Sequence, residues 1–167
     1  MTDEPLYAKL GFTDAEWGLL AGLPQSVLTA AGAATHDSAR KSRAENAAGL
    51  TEIADARASA SPLVAAIAAA AVDSAGDPEL GEILPVVEPG DPAGYADDVI
   101  ERAAEAATLL AAKTTGADAE TYKHWLVEIA DIVVGAASTG SVLGVGGESV
   151  TQAERTFRDR LSKVLAD

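Results

Sequence analysis

The chain has 167 residues, 48% of them hydrophobic and 23% charged, a balance that builds one globular domain without disulfide or metal support. There is no cysteine, which excludes disulfides, thiolate metal centres and a cysteine nucleophile, and the net charge of −14 argues against nucleic acid and anionic membrane surfaces as partners. Aromatic residues make up only 4% and alanine recurs in runs such as Ala65 to Ala71, so the apolar content comes from small side chains of high helix propensity. The expected fold is all-α, a compact bundle of six or seven helices over residues 1–167.

Thr13-Asp14-Ala15-Glu16 has the spacing of a capping box, so a first helix is expected to begin at Thr13. Gly22 and Pro24 are expected to interrupt it, with Pro24 in the first turn of a second short helix running to about Thr35. Phe12, Trp17, Leu19, Leu20 and Leu23 carry this region's apolar bulk. His36-Asp37 falls between helices, where Asp37 or Ser38 suits a cap.

From Ser38 to about Ala58 the pattern is helical but thinly hydrophobic, Leu50 and Ile53 being its large apolar residues. Arg40, Lys41 and Arg43 form the basic cluster of this helix, and Lys41 with Glu45 makes an i,i+4 pair of opposite charge, read as part of a solvated face. Ser61-Pro62 then opens a helix that is apolar on every side from Leu63 to Val72, as expected of a central buried element.

Gly76 to Pro92 holds four of the seven prolines, three glycines and five acidic residues without one base, and marks a connector at about 76–91. Asp91-Pro92 is a cap-then-proline start for a helix to about Thr114, with Tyr95, Val99, Ala103, Ala106, Leu109 and Leu110 at helical spacing and Gly116 as a stop. The next helix, Asp118 to about Ser138, has the chain's strongest amphipathic pattern: Tyr122, Trp125, Leu126, Ile129, Ile132, Val133 and Ala136. After a Gly-rich turn, Thr151-Gln152-Ala153-Glu154 is a second capping box, opening a helix whose stripe is Ala153, Phe157, Leu161, Val164 and Leu165.

Three features invite a chemical reading. The turn from Gly140 to Gly147, with Gly144, Gly146 and Gly147, precedes a helix N-terminus and its free amides. It lacks the Gly-Lys-Ser/Thr of a phosphate loop, and Glu148 would repel phosphate, so it is read as a structural connector. His124 and Glu128 stand four apart with Glu120 and Asp131 nearby, but no Glu-x-x-His pair of the di-iron bundles occurs, so no metal is assigned. Trp125 is a core anchor or, alternatively, the wall of a small-molecule groove between helices.

The stretch Tyr122-Lys123-His124-Trp125-Leu126-Val127-Glu128-Ile129-Ala130, with the turn Gly140 to Gly147 and the helix start Val150-Thr151-Gln152-Ala153-Glu154, resembles a widespread uncharacterised family of small alanine-rich helical bacterial proteins. That family pairs a Trp-Leu-x-x-Ile-Ala helix with a Gly-rich turn and a Val-Ser-x-Ala-Glu helix start. Here Thr151 replaces the serine and Val142 an aromatic residue, changes that keep capping and packing. The resemblance implies the all-helical fold and a shared turn, and carries over no activity, cofactor or catalytic residue.

The N-terminus lacks a signal peptide's basic and apolar regions, and the longest apolar run, Leu63 to Val72, is too short to span a bilayer. The expectation is a cytoplasmic protein, without cofactor or nucleic-acid partner, that is non-enzymatic and binds another protein or itself. The alternative is a small-molecule or metal-binding module with a pocket near Trp125.

Overall fold

The computed structural model describes residues 4–33, 39–75, 89–139 and 152–166. Among them are seven α-helices and no strand: α1 (Leu6–Lys9), α2 (Asp14–Ala33), α3 (Ala39–Asp55) with a 3-10 turn at Ala56–Ala58, α4 (Pro62–Ala75), α5 (Pro92–Lys113), α6 (Gly116–Thr139) and α7 (Gln152–Ala166). The all-α bundle expected from the sequence is the fold of the chain.

Local chemistry sets the helix starts. The Thr13 hydroxyl accepts from the Glu16 amide at 3.2 Å and the Glu16 carboxylate accepts from the Thr13 amide at 2.8 Å, the reciprocal capping box at the head of α2. Asp91 accepts from the Gly94 amide at 3.1 Å, with Pro92 in the first turn of α5. The Ser61 hydroxyl accepts from the Val64 amide at the start of α4 and donates to Asp118 at 2.7 Å, which ties the first turns of α4 and α6 together. Gly116 does not stop α5 as its sequence position suggests. α5 ends at Lys113, and Gly116 already lies in the first turn of α6, behind a Thr115 hydroxyl that accepts from the Asp118 amide.

Cross-helix pairs give the directions. Lys113 reaches Glu16 and Arg102 reaches Ser26, so α5 runs antiparallel to α2. Gly49 lies against Leu28, and Gly32 against Glu45, so α3 also runs antiparallel to α2. Tyr122 meets Leu20 and Val133 meets Gly32, so α6 runs parallel to α2. α2 lies at the centre, touching every other α-helix, and its Leu20, Leu23, Val27, Leu28, Ala30 and Ala31 are buried.

The packing overturns three further expectations. α2 does not break at Gly22 or Pro24 but continues from Asp14 to Ala33 with Pro24 buried inside it. α4 is not enclosed: Leu63, Val64, Ile67, Ala68, Ala71 and Val72 are buried, whereas Pro62, Ala69 and Asp73 are exposed and Ala65, Ala66 and Ala70 half-buried. On α7, Ala153 is exposed and Glu154 takes its place in the buried stripe with Phe157, Leu161 and Leu165.

Trp17 lies half-buried at the edge of the core, stacked on Tyr7 with ring centroids 5.6 Å apart and leaning on Phe12. The connector expected at about 76–91 lies outside the described residues except for its last three, and so do His36 and Asp37.

Candidate functional site

The longest stripe of the sequence sits where the helical period puts it. Tyr122, Trp125, Leu126, Ile129, Ala130 and Val133 are all buried along α6, with Ile132 and Ala136 half-buried beside them. Trp125 packs edge-on against Tyr122, ring centroids 6.0 Å apart. Its indole N–H is buried and has no acceptor among the described residues. Trp125 is thus a core side chain of α6 whose one polar atom meets no acceptor among the described residues.

His124 and Glu128 project to the other side of the same helix. The imidazole is 75% exposed and its Nε2 lies 3.3 Å from a Glu128 oxygen. Glu120 is engaged by Lys123 at 2.6 Å, and Asp131 by Arg158 of α7. The four groups therefore line an edge and do not converge, and among the described residues no three acidic or histidine side chains are grouped to hold a metal ion. Across the seam on α3, burial together with the charges of Glu128 and Asp55 pushes the Glu52 carboxyl above its ordinary range. Negative charge accumulates there because α3 and α6 pack with both acidic edges on one side.

The sequence reading missed two buried acids. Glu45 is 2% exposed and Glu154 1% exposed, and both are engaged in interactions within the fold. Glu45 lies under the end of α2, where a Cβ on Gly32 would stand 3.6 Å from its Oε2. The reading of Lys41 and Glu45 as a solvated pair therefore fails on the Glu45 side. Close helix approach is the cause: a Cβ on Gly49, one turn after Glu45, would fall 2.6 Å from Leu28 Cδ1 and 2.9 Å from Val133 Cγ2. The bare glycine draws α3 onto α2 and α6 and takes Glu45 inward with it. Glu154 stands three residues before Phe157 and seven before Leu161, in phase with the apolar stripe, and that phase was the available signal.

Both acids belong to the end of the bundle formed by the C-terminal halves of α2 and α6. Gly32 stands beside both Glu45 and Val133, and Arg158, one turn after Glu154, is bonded to Asp131. The Asn46 side-chain oxygen at the same end of α3 is buried without a donor among the described residues. Gly144, Gly146 and Gly147 of the Gly-rich turn lie outside the described residues.

No protein-family model, no curated protein and no solved structure matches the chain. No helix among the described residues is long and apolar enough to cross a membrane.

Proposed function

We propose that the protein is a non-enzymatic helical module that associates with a second copy of itself through the outward face of α4. The observation that supports this is the mismatch between the helix and its place. An α-helix that is apolar all round belongs in an interior, yet among the described residues α4 is fully covered on one side only, its outer face having Pro62, Ala69 and Asp73 exposed and Ala65, Ala66 and Ala70 half-buried.

That face is self-complementary. A two-fold axis between Ile67 and Ala68 sets Ala66 against Ala69 of the second copy and Ala65 against Ala70, where small side chains let helix axes approach closely. The same axis brings Asp73, which sits in the disfavoured last turn of its own helix, beside the N-terminal turn of the other α4 at Pro62. A pair of alanine-faced helices of 14 residues buries well under the roughly 1,200 Å² of a stable interface, so the complex is weak and reversible. Each copy carries a net charge of −14, so added salt, by screening that repulsion, strengthens it.

Sedimentation equilibrium tests the reading. The expected result is a monomer–dimer equilibrium that tightens with salt and is abolished by Ala69→Glu, while the circular dichroism of that variant stays helical. A monomer at every concentration and salt overturns self-association, and a dimer undisturbed by Ala69→Glu overturns α4 as its surface.

A further inference from the structure

No further inference is drawn: the strongest candidate, the buried indole N–H of Trp125 in the core face of α6, lacks an acceptor among the described residues, and nothing among those residues shows what group a ligand would present to it.

Discussion

The hydroxyl of Tyr122 on α6 donates at 2.8 Å to the backbone carbonyl of Leu20 on α2, and this carbonyl is the one that Pro24, four residues later, cannot serve. A proline inside a helix removes one backbone donor and crowds the carbonyl one turn before it, at a cost of about 3 kcal/mol. Here the freed acceptor is buried in the core and is satisfied from a neighbouring helix. That side-chain bond offsets part of the cost and is one reason α2 runs on to Ala33. Burial raises the phenol's pKa further above its ordinary value, which keeps the donor protonated.

Tyr122→Phe is expected to lower stability by about 1–2 kcal/mol, because it leaves the Leu20 carbonyl buried without a partner. In a Pro24→Ala background the backbone amide of residue 24 is available to that carbonyl, so the same substitution costs less. Urea unfolding of the four proteins measures the coupling, and equal costs in both backgrounds would refute the compensation.

Gly49 and Gly22 predict opposite outcomes for one change. Gly49→Ala is expected to destabilise by about 1–3 kcal/mol, since the new methyl group meets Leu28 and Val133 inside the helix junction. Gly22→Ala, exposed on α2 with nothing within 4 Å of the added Cβ, is expected to stabilise by about 0.5–1 kcal/mol. Thermal unfolding followed by circular dichroism separates them by the sign of the change in Tm.

The Lys113 ammonium, 2.6 Å from Glu16, together with the Thr13 amide, holds the Glu16 carboxyl below the usual carboxylate range. A lowered folded pKa contributes stability that is present above the unfolded carboxylate pKa and is lost as the pH falls through the folded value. Glu16→Gln keeps a side chain able to complete the capping box but removes the charge. The variant is expected to be less stable than the parent at neutral pH, with the difference vanishing in acid. A gap between the two that persists at low pH would show that the charge is not its source.

Glu52 titrates in the opposite sense. Burial, then Glu128, then Asp55 raise its folded pKa, so stability is full below the unfolded carboxylate pKa and declines as pH rises through the raised value. Glu52→Gln is expected to stabilise the protein at neutral pH by at most about 0.5 kcal/mol, screened as the group is by solvent. Adding salt should narrow the gain; denaturant titrations at low and high ionic strength check both points.

Helix starts were legible where a capping signal wrote them, whereas the break signals at Gly22 and Pro24 were overridden by packing. The Thr13 box, the Asp91-Pro92 start and the Tyr122 to Val133 stripe lie in the structure where spacing puts them, because a cap is made within four residues and a buried face repeats every turn. The site was less legible. His124 and Glu128 were readable as an exposed edge from their phase beside Trp125, but the buried Glu45 was not, since its burial depends on how closely three helices approach at Gly49.

The sequence by itself determined that this chain is helical, where most helices start and which face of α6 turns inward, because these follow from local hydrogen bonding and the helical period. Only the tertiary structure decided that α2 passes through Pro24, that Glu45 is taken into the interior, and that the most apolar helix, α4, has one side left exposed or half-buried among the described residues. Each of those outcomes rests on a contact between residues distant in the chain: a tyrosine hydroxyl on a freed carbonyl, a glycine under two side chains, and a neighbour that covers one face of a helix and not the other.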